Sequence, residues 1–282
     1  MTAARAPSAL IDAIDPSRER AYARDLARAF GGALLFTIPL LMTMEMWAAG
    51  YVMDGVRLLA FLLAALPLLF FLSHYAGFRR QRSWADDLSD TLVALAVGFI
   101  VAGVFLTLLG VIESGDGARR SLAQIALQAV PGAIGALLAR RQLSADGGET
   151  GREDQASYAG ELFLMVVGAL FLALNMAPTE EMILIAFRAT PWHVLALIVV
   201  TLTLMHGLVY SAGFAGQEEH DKPVTAFFHY TLAGYGLVLV TGLFVLWVFG
   251  RTAGQSPGEL AAAVVVLGLP GGLGAAAARL LV

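Results

Sequence analysis

Cysteine is absent from this chain, and lysine occurs once, at Lys222. Without cysteine there are no disulfides, thiolate zinc sites or iron–sulfur clusters. Lys222 lies in a polar stretch, so no apolar run offers a lysine for a Schiff base. The HExxH, GxSxG, P-loop and Asp-rich pyrophosphate motifs are also missing. We therefore expect no cofactor or metal, and no motif supports an enzyme.

Charged residues are scarce: they make up 14% of the 282 residues, whereas 58% are hydrophobic. The mean hydropathy is +0.74. This composition is typical of an integral membrane protein. The apolar runs are continuous and do not alternate with polar residues, which favours helices that cross the bilayer. The net charge of −4 gives no reason to expect a nucleic-acid partner.

Eight apolar runs are long enough to span a bilayer, which takes about 20 helical residues. They cover about 30–52, 55–78, 89–112, 121–139, 160–187, 190–214, 224–249 and 259–282. A polar N-terminal segment, 1–28, precedes them. A Gly-rich, acidic stretch separates the first four runs from the last four, and we interpret 141–159 as a cytoplasmic linker between 29–140 and 160–282.

Basic residues are concentrated on one side of the predicted spans. With the N-terminus inside, few of the 18 basic residues fall in outer connections. Those few are Arg57, Arg119, Arg120, Arg188 and Arg251. Since basic connections stay in the cytoplasm, both termini are predicted to be cytoplasmic. No apolar segment with a cleavage site opens the chain, so we predict a multi-pass protein of the bacterial cytoplasmic (inner) membrane without a signal peptide.

The sequence repeats itself at a nearly constant spacing. Gly32–Met46 matches Gly168–Met182 at an offset of 136 (168 − 32 = 136), and Pro131-Gly132-x-x-Gly135 matches Pro270-Gly271-x-x-Gly274 at 139 (270 − 131 = 139). Four crossings per copy would bring both copies into the membrane from the same side. The predicted fold is therefore an all-α integral membrane protein of eight transmembrane helices, arranged as two parallel four-helix repeats.

Two segments carry a family resemblance: Met-Glu-Met-Trp at 44–47 and Asn-x-Ala-Pro-Thr-Glu-Glu-Met at 175–182. With the eight-span layout, they make most of the chain resemble an uncharacterised family of bacterial integral membrane proteins. The resemblance implies this membrane fold and no established activity, so function has to be inferred from individual residues.

The repeated carboxylates are the first candidates for a site. Glu45 and Glu181 occupy equivalent positions in the outer half of their predicted spans. Because an ionised acid near mid-membrane costs about 2.5 kcal/mol or more, its presence in both copies suggests a use. Two such acids facing one cavity could bind a cation or share a proton. Alternatively, each reaches interfacial water or caps a neighbouring helix.

Other candidates lie beside these acids. Thr43 and Thr179 precede them by two residues, and Glu180 adjoins Glu181 without being repeated. The kink candidates Pro39 and Pro178 could free carbonyl oxygens for a cation, or simply bend the helix.

Asn175 and His206 replace Pro39 and Phe70 of the first copy. On a straight-helix estimate both lie near mid-membrane, about 7 Å apart in depth. We therefore consider a proton or cation relay through Glu181, Asn175 and His206. A histidine that bonds only to a neighbouring helix is the alternative.

Three functions remain open. The first is transport or conduction of small cations, protons included, through the glutamates. The second is a scaffold that binds a membrane partner, with structural acids. The third is an enzyme that modifies lipid. Glycines in predicted helices 4 and 8 suggest close helix packing, and possible homo-oligomer contacts. They are Gly132, Gly135, Gly271, Gly272 and Gly274.

Overall fold

A computed structural model describes residues 16–76, 83–113, 115–142, 158–211 and 227–280. Within these ranges the chain is mostly helical and has no strand. Residues 1–15 of the predicted N-terminal segment and most of the predicted linker lie outside them. The helices in chain order are α1 Pro16–Leu41, α2 Met44–Val52, α3 Gly55–Ala76, α4 Trp84–Leu108, α5 Ala118–Gln142, α6 Tyr158–Met176, α7 Glu180–Arg188, α8 Pro191–Ser211, a π-helical turn Phe227–Leu232 that continues into α9 Ala233–Val248, and α10 Pro257–Leu280.

Seven helical segments are long and apolar enough to cross a membrane: α3, α4, α5, α6, α8, α9 with its π-helical turn, and α10. The last 20 residues of α1 pass the same test only together with α2, and the two are bent by 82°. The predicted all-α, multi-pass membrane fold is thus confirmed. The described residues contain seven possible crossings, or eight if α1 and α2 together form one crossing.

Two predicted spans are not continuous helices. The run 30–52 breaks between α1 and α2, and the run 160–187 breaks between α6 and α7. In each break a threonine adopts an extended backbone: Thr43 at φ −102, ψ 126 and Thr179 at φ −72, ψ 144. The Thr43 hydroxyl donates to the Leu40 carbonyl and that of Thr179 to the Met176 carbonyl, both at 2.8 Å. The same local structure therefore ends both long helices.

The helices correspond across the two copies. The bounds of α2 and α7 differ by the sequence offset at both ends (180 − 44 = 136 and 188 − 52 = 136). The starts of α5 and α10 differ by the second offset (257 − 118 = 139). The turns after α4 and α9 each contain a glycine of positive φ, Gly110 at 70° and Gly250 at 74°. These correspondences support the predicted pair of repeats, which stays a prediction.

Glycines let the helices within each copy approach closely. A Cβ on Gly32 of α1 would collide with the Gly135 backbone of α5, and a Cβ on Gly168 of α6 would collide with Gly274 of α10. The glycine faces of α5 and α10 are therefore buried against other helices of the same chain. The structure does not support the prediction that these faces form a homo-oligomer, because they are already occupied.

The two copies meet through α1, α3 and α5 of the first and α6 and α9 of the second. At one end of the bundle, Arg57 of α3 lies over the ring of Trp247 at the end of α9, 6.0 Å from its centroid. At the other end, Tyr75 of α3 contacts Phe163 of α6, with ring centroids 5.5 Å apart. The first break leads through α2 to the start of α3, where Arg57 lies, and the second follows the end of α6, far from Phe163 near its start. Both breaks therefore lie at the same end of the bundle, which we call the break end.

Candidate functional site at the helix breaks

Glu45 lies in the first turn of the short helix α2. The chain bends by 82° between α1 and α2, just before Glu45. Glu45 is therefore displaced from the axis of α1 and is half-buried at the break end. The structure therefore corrects the predicted position in the outer half of a straight span. An acid in the first turn also suits the positive end of the helix dipole.

Glu181 occupies the equivalent place in α7 and is exposed. Its neighbour Glu180 pairs with Arg251, whose Nη2 lies 2.8 Å from Glu180 Oε1. The same guanidinium donates to the Pro178 carbonyl inside the break. Glu180 thus helps to hold Arg251 against the second break.

Pro39 and Pro178 lie at different positions relative to the two breaks. Pro39 is inside α1, two residues before its end, whereas Pro178 lies within the second break. Neither position is repeated as proline in the other copy, where Asn175 and Met42 stand. Because the threonines are shared and the prolines are not, the threonine turn accounts better for the break than a proline kink does.

The predicted relay through Asn175 and His206 is not assembled. Asn175 is one residue from the end of α6, at the break end, and its Nδ2 donates to the Phe171 carbonyl of its own helix at 2.8 Å. His206 is near the far end of α8, with Nδ1 3.1 Å from Thr231 Oγ1. Counting 1.5 Å per residue from the break end, their depths differ by about 20 Å. The sequence estimate failed because it treated 160–187 as one straight helix.

A buried ion pair lies at the end opposite the breaks. Arg279 Nη2 is 2.6 Å from Glu161 Oε2, and both side chains are nine-tenths or more buried. The Arg279 guanidinium also lies over the Tyr230 ring, 3.7 Å from its centroid. Arg279 is not among the basic residues of the predicted outer connections, so the sequence predicted it on the inner side without a partner. The pair ties α6 to α10.

A second pair at the same end joins α3 to α4. His74 Nδ1 is 2.9 Å from Asp87 Oδ2, and the Asp87 side chain is almost fully buried. The imidazole ring stacks on Trp84 at 5.9 Å. Ser83 and Asp86 cap the start of α4 with reciprocal hydrogen bonds, a capping box. These contacts favour a structural role for the acids at this helix start.

Three fully buried polar side chains of the first copy were missed by the sequence analysis: Thr37 of α1, and Gln124 and Gln128 of α5. Gln124 Nε2 donates to the Trp47 carbonyl of α2 at 3.1 Å. The repeat offsets could have revealed them, because their counterparts in the second copy are all apolar. The counterparts are Ala173, Ala263 and Leu267, in that order.

A cavity of about 240 Å³ lies between α3, α6 and α9, where the two copies meet. Eight of its nine lining residues are apolar, and Thr241 is the ninth. None of the sequence-predicted site residues lines it. Within the described residues, no group of three His, Asp or Glu side chains could hold a metal ion. Because almost all of its lining is apolar, the cavity resembles a lipid-facing recess.

The fold defines a polytopic, α-helical integral membrane protein in which two of the predicted spans are broken. More particularly, residues 25–282 match the family described as "Putative integral membrane protein (DUF2391)", and the chain belongs to that family. Neither the curated proteins nor the solved structures gave a match.

Proposed function

We propose that this protein transports or conducts small cations, protons included, across the bacterial cytoplasmic membrane. Glu45 and Glu181 attract the cation at the break end, which faces outward if both termini are cytoplasmic. The two copies act as parallel repeats around this entrance. Thr43 and Thr179 hold the backbone turns that present the two acids.

The observation that carries the proposal is the pair of equivalent helix breaks, each followed by an acid. The bounds of α2 and α7 correspond residue for residue, and Glu45 and Glu181 both lie in the first turn. Broken membrane helices occur where backbone lines a site or a cavity, because unpaired backbone groups are costly in lipid. Carboxylates at such breaks suit a cation better than an anion.

Flux of cations and protons into proteoliposomes tests the proposal. Wild type is compared with Glu45→Gln, Glu181→Gln and the double variant, because glutamine keeps the shape and removes the charge. Glu113→Gln is the matched control, since Glu113 is an exposed acid of the connection between α4 and α5 at the same end.

We expect wild-type flux, a severalfold loss in each single variant, a larger loss in the double variant, and no change in the control. Elution as a single folded species excludes misfolding as the cause. Equal flux in wild type, both single variants and the double variant assigns Glu45 and Glu181 a structural role. A wild type without flux under any gradient rejects transport and favours the scaffold alternative.

A further inference from the structure

The recess between α3, α6 and α9 lies within the segments that can cross a membrane. Its floor includes Phe61, Ala65 and Leu170, which are buried. Its rim includes Ala64 of α3 and Val240 of α9, which are exposed. The space of about 240 Å³ is therefore open between α3 and α9. Because the bilayer core holds no water, hydrocarbon fills an apolar recess that opens into it.

The recess leads toward the break end along one face of each of these two helices. The lining residues of α3 follow Arg57 at helical spacing and therefore share its face: they are Phe61, Ala64, Ala65 and Leu68. On α9, Val240 and Phe244 lie on the same face as Trp247 in the same way. Phe244 also stacks on Trp247, with ring centroids 6.3 Å apart. Arg57 and Trp247, which contact each other, therefore lie at the end of the recess nearest the membrane surface.

Arg57 brings a positive charge to this end of the recess. It is half-buried in the first turn of α3, and its Nη1 lies against Gly250. The neighbouring acid, Asp54, accepts a hydrogen bond from the Val56 N–H at 3.2 Å instead. Among the residues that the structure describes, Arg57 forms no ion pair, and its contact is with the Trp247 ring. A guanidinium in this position suits a phosphate group, to which it can donate two parallel hydrogen bonds.

The length of the recess fits one lipid chain. From Arg57 to Leu68, the lining residue of α3 furthest from it, the helix rises by about 16 Å. Half of the hydrocarbon core of a bilayer is about 15 Å thick. A lipid whose phosphate lies at Arg57 therefore places its chain along the whole recess, within a single leaflet. A partner helix, about 10 Å wide with its side chains, could enter a space of this volume only with individual side chains.

We propose that the recess binds one acyl chain of an anionic phospholipid, whose phosphate group bonds to Arg57. Arg57 supplies the preference for an anionic lipid, because a zwitterionic headgroup carries its own cation beside the phosphate. The apolar lining supplies the affinity for the chain through van der Waals packing, which drives association in the membrane. The proposal does not depend on transport, and the two are tested by separate measurements.

Photolabelling of the protein in phosphatidylcholine nanodiscs tests this site. A trace of phosphatidylglycerol carries a diazirine midway along one chain, and mass spectrometry locates the adducts. We expect adducts at the lining residues of α3 and α9 to exceed those on α8 severalfold. α8 is the reference because only 11% of its apolar window is buried, so bulk lipid surrounds it. Equal labelling of the two regions overturns the site.

The same diazirine on phosphatidylcholine measures the headgroup preference without any variant. We expect its enrichment at the recess to be severalfold weaker than that of phosphatidylglycerol. Equal enrichment of the two probes overturns the preference for an anionic lipid. A recess that neither probe labels above α8 is left to a partner protein, which overturns the proposal as a whole.

Two variants separate the headgroup from the chain. Arg57→Gln should lower the phosphatidylglycerol enrichment to that of phosphatidylcholine, whereas Ala64→Phe places a ring in the recess and should abolish enrichment of both probes. The matched controls are Arg188→Gln, at an exposed arginine of α7, and Ala261→Phe, at an exposed alanine of α10. Both controls should label like wild type. An undiminished preference in Arg57→Gln, or undiminished enrichment in Ala64→Phe, overturns the assignment of that residue.

Discussion

The Gly135 carbonyl oxygen lies so close to Gly32 that a Cβ atom on Gly32 would collide with it. The backbones of α1 and α5 are therefore in direct contact. Gly168 and Gly274 repeat this relationship between α6 and α10. Without a hydrophobic driving force between helices in lipid, such close packing is a main source of stability.

Gly32→Ala should destabilise the protein by about 1–3 kcal/mol, because the added methyl group meets fixed backbone and the helices must separate. Gly31→Ala is the control, since nothing lies within 4 Å of its Cβ position. We expect that change to be neutral or stabilising by up to about 1 kcal/mol. Reversible unfolding in detergent measures both. Equal destabilisation by the two variants would contradict the close contact.

The sequence was a good guide to the all-α, multi-pass membrane fold. Long apolar runs ended by polar segments predicted eight crossings, and the described residues contain seven helices long enough to cross, or eight with the bent pair. The break after Leu41 was missed because the apolar run continues through Met42. Thr43 and Thr179 could have indicated the breaks, because they precede the repeated acids by two residues and immediately precede the short helices.

The site was less predictable, because contacts between helices cannot be derived from the hydrophobic periodicity of the sequence. Asn175 and His206 were placed at similar depths on the assumption of straight helices, and the break after Met176 removes that assumption. Gln128 belongs to no motif, since it is a single glutamine in an apolar helix. Only the comparison with Leu267 at the offset of 139 could have identified it.

Arg251 should stabilise the second break mainly through the Pro178 carbonyl. Arg251→Met removes the donor to this buried carbonyl, and we expect a loss of about 1–3 kcal/mol in the free energy of unfolding. Glu180→Gln leaves that bond intact and removes only an exposed ion pair, so it should change stability little. Chemical unfolding in detergent compares the two. A larger effect of Glu180→Gln would show that the ion pair dominates.

The Glu161–Arg279 pair should be strongly coupled. Removing one partner leaves a buried charge uncompensated, so Glu161→Gln and Arg279→Met should each cost about 3–5 kcal/mol. The double variant should cost less than the sum of the two, because no lone charge remains. A double-mutant cycle of unfolding free energies measures this coupling. Additive losses would mean that the two side chains act separately.

The predicted orientation can be tested directly, because the native chain has no cysteine. Glu113→Cys introduces a thiol in the exposed connection at the break end, and Tyr22→Cys introduces one near the start of α1, where the side chain is 62% exposed. A charged maleimide that cannot cross the membrane should label the first variant in intact spheroplasts. It should label the second only after lysis.

This orientation is expected because basic residues in connections resist translocation across the membrane. The basic residues of α1 are concentrated before its apolar part. Labelling of both variants after lysis controls for thiol accessibility. The reverse pattern in intact cells would place the breaks on the cytoplasmic side. Glu45 and Glu181 would then meet cations leaving the cytoplasm, and the direction of the proposed pathway would be inverted while its residues stayed the same.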